Sequence, residues 1–117
     1  MRFFRKILLF IFSFSLQPLL KKYLSKPRNY RYQELNLVIY PGVFHPGFFF
    51  STQFLLKQLS QLELKDKRVL ELGAGSGLIS FVVKQMGGII TASDISENVV
   101  RNIKLNQKSN NFFFEVI

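Results

Sequence analysis

A chain of 117 residues has room for at most one ordinary domain, and its 48% hydrophobic content is normal for a globular one. With no cysteine and a single histidine, it offers neither a disulfide framework nor a thiolate zinc site, and no metal centre is expected. The net charge of +9 is uneven: residues 1–33 carry eight Lys and Arg and no acid, whereas residues 34–117 carry eight against seven acids. The basic balance therefore belongs to the leader, which weakens any inference of a nucleic-acid groove on the remainder.

The leader opens with Arg2, Arg5 and Lys6, runs apolar from Ile7 to Leu16, and closes on Lys21 and Lys22. The fourteen residues from Ile7 to Leu20 are uncharged, short of the roughly 20 apolar residues a spanning helix needs. Pro18 is expected to disturb the end of this run. The positive start and apolar centre mimic a signal peptide, but no small-x-small cleavage site follows. The run looks apolar nearly all round, a poor fit to a narrow amphipathic stripe. The expectation is an N-terminal apolar helix lying in or on a membrane through residues 1–22, where two basic clusters suit an anionic cytoplasmic leaflet. A helix packed against another part of the protein is the alternative.

From Asn29 to Tyr40 the pattern alternates loosely (Tyr30, Tyr32, Leu35, Leu37, Ile39), which predicts one or two short strands. Pro41 to Gly47 reads as a loop, and its His45 as a solvent-facing loop histidine. Ser51 is the expected N-cap of a helix over Thr52 to Leu62, with Leu55, Leu56, Leu59 and Leu62 inward. Val69 to Leu72 reads as a strand covered on both faces. It runs into Gly73-Ala74-Gly75-Ser76-Gly77 and then a helix through Gln85. The glycines can take left-handed dihedrals and admit a ligand close to the backbone. The helix start behind them favours a polar or anionic ligand group. A second strand covers Gly88 to Ser93, and Asp94 at its end can accept two ribose hydroxyls. Ser96 is placed to cap a helix over Glu97 to Gln107. After a turn at Ser109 to Asn111, Phe112 to Ile117 reads as a third strand.

The spacing G-x-G-x-G, with Leu78 where the dinucleotide fingerprint has its last small residue, disfavours a nicotinamide oxidoreductase. The motif E-L-G-A-G-S-G-L, followed by S-D-I-S, resembles the first two cofactor motifs of the class I S-adenosylmethionine-dependent methyltransferases. The resemblance implies a partial Rossmann-like α/β fold: the first three parallel strands with their helices, within residues 34–117, behind a leader of residues 1–33. It implies S-adenosyl-L-methionine as cofactor. Gly73, Ala74, Gly75 and Gly77 would lie under its methionine part, Glu71 would hold its ammonium end, Asp94 its ribose, and Ile95 its adenine. The alternatives are a strand-end carboxylate paired with a local base for Glu71, and a helix-start acid for Asp94.

The stretch P-G-V-F-H-P-G-F-F-F-S-T-Q-F-L-L is similar to the segment ahead of the first strand in the small methyltransferase-domain branch, which includes release-factor glutamine and RNA-base enzymes. Ser51 stands where that branch often has Asp, and the gap from Pro46 to Thr52 is longer. The family's substrate motif, Asn-Pro-Pro-Tyr or a relative, follows the fourth strand and has no counterpart here. The expectation is thus a truncated cytoplasmic methyltransferase, inactive as a fragment, whose full relative methylates a protein, RNA or small-molecule acceptor. Its catalytic residues are not identifiable. The competing readings are a non-catalytic cofactor-binding fragment and a membrane-associated interaction protein.

Overall fold

The structure, a computed structural model, describes residues 1–11 and 16–117. Two helices come first, α1 (Arg2–Ile11) and α2 (Gln17–Tyr23), and neither buries a residue. The leader helix begins at Arg2 rather than within the apolar run. That brings Arg2, Arg5 and Lys6 onto one side of α1 at helical spacing, while the part of the apolar run it contains, residues 7–11, is apolar throughout. Pro18 occupies the first turn of α2, a helix separate from α1, where a missing N–H costs nothing. The part of the apolar run from 12 to 15 lies outside the described residues. No helix among the described residues is long and apolar enough to cross a membrane.

An antiparallel hairpin follows, β1 (Arg28–Tyr32) paired with β2 (Leu35–Ile39). Leu35, Leu37 and Ile39 alternate along β2 and point into the core. A short 3₁₀ turn (Pro46–Phe48) leads into α3 (Phe50–Leu59). This helix starts earlier than expected. Phe49 is the residue ahead of its first turn, so Ser51 is no cap and lies inside the helix. Only Leu56 and Leu59 of the four expected leucines are buried, while Leu55 and Leu62 face solvent.

A parallel sheet of order β3-β4-β5 forms the centre. It comprises β3 (Arg68–Leu72), β4 (Ile89–Ser93) and the short β5 (Glu115–Val116), with α4 (Leu78–Gln85) and α5 (Glu97–Asn110) as crossovers. Beyond β5 the pairing continues, since Ile117 N–H donates to Ala92 O and Asp94 N–H to Ile117 O. One sheet face, with Ile90 and Ala92, is buried under Leu78, Phe81, Val83 and Ile103. The other is open. Leu70 is 58% and Leu72 76% exposed, which corrects the expectation of a strand covered on both faces. Among the described residues no element lies over them, and β3 pairs on one side only.

The hairpin is joined to this unit by three asparagines at four-residue spacing on α5. Asn110, Asn106 and Asn102 accept from the N–H groups of Asn36 (2.9 Å), Val38 (2.8 Å) and Tyr40 (3.3 Å). Their amides donate back, Asn110 to Asn36 O and both Asn102 and Asn106 to Val38 O. The outward backbone edge of β2 is thereby satisfied by side chains instead of a further strand, as buried polar groups require.

Candidate functional site

The strand β3 ends on Leu72, and the chain turns through Gly73, Gly75 and Gly77, all with φ between 55° and 79°. These are left-handed values that favour glycine. At Gly77 the requirement is doubled, because an added Cβ would lie 2.9 Å from Ile103 Cγ1. The turn is pinned by Ala74 N–H donating to Ser93 O and Gly77 N–H donating to Ala74 O, each at 2.9 Å. Gly77 precedes α4, whose first-turn N–H groups point back toward the turn.

Asp94 stands opposite, at the end of β4. Its Oδ2 accepts from Gly75 N–H (3.1 Å) and its Oδ1 from Ser96 N–H (2.9 Å). The two bonds fix the carboxylate against the turn, and each oxygen keeps a further lone pair for a ligand hydroxyl. The predicted cap is also present: Ser96 Oγ accepts from Val99 N–H. Asp94 thus both faces the glycine turn and stands at the start of α5.

Glu71 lies one strand residue before the turn's rim, on the face covered by α4. Burial pushes its carboxyl up to about 7, against the smaller opposing effect of the Ser80 hydroxyl, which donates to it. The nearby Asp94 carboxylate adds to the rise. Ser80 was not singled out from sequence; its signal is its position in the first turn of α4, directly above β3.

These groups border one pocket of about 560 Å³, within the range of small-molecule sites. Its walls include Glu71, Gly73, Ala74, Gly75 and Asp94 from the motif. Gly77 lies just behind the turn and is buried. Ile95 is fully exposed beside Asp94 and is not part of the wall. The far wall comes from the loop and helix ahead of β3: Gly42, Phe44, Ser51 and Thr52. Phe44 stacks on Phe49 with ring centroids 3.5 Å apart.

His45 is not a solvent-facing residue. It is buried at 6% exposure, its Nδ1 accepts from Gly47 N–H, and its ring meets Tyr30 edge-on at 5.6 Å. Burial lowers its pKa from the usual value. It serves as the cap of the 3₁₀ turn. Among the described residues no group of His, Asp and Glu gathers in a form that could hold a metal ion.

The family model for the methyltransferase small domain matches residues 34–117. The chain belongs to that family. The chain is 38% identical over 73 residues to the protein-lysine methyltransferase METTL21E of Bos taurus, covering 60% of this chain and 25% of that one. It is 32% identical over 83 residues to the ribosomal protein L11 methyltransferase of Leptospira interrogans, covering 69% and 28%. Its fold is similar to the Pyrococcus abyssi tRNA (uracil-54, C5)-methyltransferase, solved in complex with S-adenosyl-L-homocysteine. The TM-score is 0.64 at 21% identity, over 79% of this chain and 23% of that one. The small-domain chain described here spans about a quarter of the length of the curated relatives it matches.

Proposed function

We propose that residues 34–117 form the donor side of an S-adenosyl-L-methionine-dependent methyltransferase whose acceptor is a protein. The observation that carries the reading is the Asp94 carboxylate, held by the Gly75 N–H across a left-handed glycine turn and sharing a pocket with Glu71. The residues fit the cofactor. Asp94 has lone pairs left for the two ribose hydroxyls, the bare turn at Gly73, Ala74, Gly75 and Gly77 admits the methionine part, and Glu71 meets its ammonium end. Ile95, fully exposed, is free to close over the adenine. The cofactor supplies an electrophilic methyl group, and this chain's part is to hold and orient it. Protein-directed relatives such as the L11 and lysine methyltransferases favour a protein acceptor over RNA or a small molecule. A methyl donor made and used in the cytosol supports a cytoplasmic location for the protein.

Calorimetric titration with S-adenosylmethionine and S-adenosylhomocysteine tests this, with NADH as the competing ligand. Asp94→Ala should weaken binding by about 1–3 kcal/mol through loss of a partly buried acceptor. Unchanged affinity, or tighter binding of NADH, would remove Asp94 from a methyl-donor site. The isolated 117-residue chain should bind the donor without transferring its methyl group. Positioning contributes roughly 7–11 kcal/mol to a two-substrate reaction only when both reactants are held. Labelled-methyl transfer to cell extract, abolished by Gly75→Arg, would show instead that the leader or the 41–47 loop holds the acceptor.

A further inference from the structure

Helix α1 presents two faces. At 100° per residue, Arg2, Arg5 and Lys6 share one stripe with Leu9 between them, and Phe3, Phe4, Ile7 and Leu8 fall on the opposite side. The apolar side is not covered by the domain: Phe3 is 75% and Phe4 72% exposed, and α1 buries no residue. Helix α2 adds an exposed Leu19 and two more cations, Lys21 and Lys22, in its last turn. The ten described residues of α1 reach only about 15 Å, half of a hydrocarbon core, and no helix among the described residues is long and apolar enough to cross a membrane. We propose that α1, with α2, lies flat on an anionic lipid surface, its Phe and Leu side chains in the acyl–headgroup boundary and its cations at the lipid phosphates.

Charge complementarity selects this occupant. Residues 1–33 carry eight cations and no acid, so a second copy laid against the same face would bring like charges together, whereas anionic headgroups neutralise them. The far end of α2 is tied to the domain. Tyr23 meets Phe48 edge-on at 5.7 Å, and the Arg28 guanidinium stacks 3.7 Å from the Tyr23 ring centre. Phe48 belongs to the turn immediately ahead of Phe49, which stacks on the pocket residue Phe44. The lipid-bound leader is therefore connected directly to the wall of the donor pocket.

The test is co-sedimentation of the whole chain with vesicles of phosphatidylcholine and phosphatidylglycerol in equal parts, and with phosphatidylcholine alone, at low and high salt. Partitioning onto the anionic vesicles should fall steeply with salt and be weak on the neutral ones. Lys6→Ala should reduce it about fivefold, and Arg5→Glu with Lys6→Glu by at least about thirtyfold, in line with the attraction expected per cation near such a surface. Leu8→Ser should reduce it as well, and Lys57→Glu on α3 should not. S-adenosylhomocysteine binding by the α1 variants should be unchanged, which separates this proposal from the reading of the pocket. Failure to bind anionic vesicles overturns it. So does binding that ignores the α1 variants, or self-association in vesicle-free solution that Leu8→Ser abolishes, which would assign the face to a second copy.

Discussion

Helices α1 and α4 are of similar length and similarly rich in aliphatic and aromatic residues, yet they meet opposite fates. Leu78, Phe81, Val82 and Val83 of α4 are all buried, whereas no residue of α1 is. The difference does not lie in amphipathicity, which both possess. It lies in what the chain places alongside. The crossover from β3 to β4 is forced to return over the sheet, so α4 is given a partner by connectivity. Nothing in the connectivity of α1 does the same. A pattern of apolar residues specifies a face; topology decides what covers it.

The contrast breaks most visibly at Phe81. Phe81→Ala, at a fully buried position in the middle of the core, should cost about 3–5 kcal/mol of stability in urea unfolding. A cost below about 1 kcal/mol would mean that α4 is no more covered than α1.

Next comes the pH dependence that the same cover produces. Desolvation under α4 raises the folded-state pKa of Glu71 from 4.5 to about 7. The folded protein thus binds this proton more tightly than the unfolded chain. The sign follows: this contribution to stability is fully present below the unfolded value and is lost as pH rises through the folded one. It amounts to about 3 kcal/mol at most, at 1.36 kcal/mol per pK unit. Urea unfolding of the ligand-free protein across that interval should show the decline, and Glu71→Gln should flatten it. A donor ammonium placed on Glu71 would favour the carboxylate, so cofactor binding at mildly acidic pH should release a proton, measurable as a buffer-dependent heat.

A smaller effect is expected at Asn106, which is buried and bonds to both the N–H and the C=O of Val38. Asn106→Ala leaves the Val38 N–H without its acceptor and should cost about 1–3 kcal/mol. Amide exchange at Val38 should accelerate. The smallest effect belongs to α1: Phe4→Ala should change stability by no more than about 0.5 kcal/mol. A larger loss would show α1 packed against the domain and erase the contrast with α4.

What was legible in the sequence follows the same division between local and non-local causes. The turn at Gly73–Gly77, the start of α4, the placing of Asp94 and the Ser96 cap are all set within a few residues, and each lies where the pattern put it. His45 was misjudged because its ring partner, Tyr30, comes from β1, fifteen positions earlier. The exposure of Leu70 and Leu72 was missed because an apolar strand does not state how many of its faces are covered. The 3₁₀ turn that moved the start of α3 ahead of Ser51 depends on His45 capping Gly47, again a contact that spacing alone does not reveal. Ser80 and the asparagines of α5 were overlooked for a related reason. A polar residue on an inward helical face reads as a flaw in the apolar stripe until its partner is seen.

The asparagine bonds between α5 and β2 act as a vernier. Four residues of helix advance about 6.0 Å, and two residues of strand about 6.7 Å, so the two scales slip by roughly 0.7 Å at each step. The slip shows at one end: Asn110 and Asn106 hold the Asn36 and Val38 N–H groups at 2.9 and 2.8 Å, while Asn102 reaches Tyr40 N–H only at 3.3 Å and turns its amide back to Val38 O. Scales of unequal pitch coincide at one setting, here with Asn36 and Val38 in register. The hairpin therefore cannot creep along the helix by a strand repeat without losing that match. Because β2 runs straight into the loop bearing Gly42 and Phe44, and α5 begins beside Asp94, this one setting also fixes the gap between the two walls of the pocket.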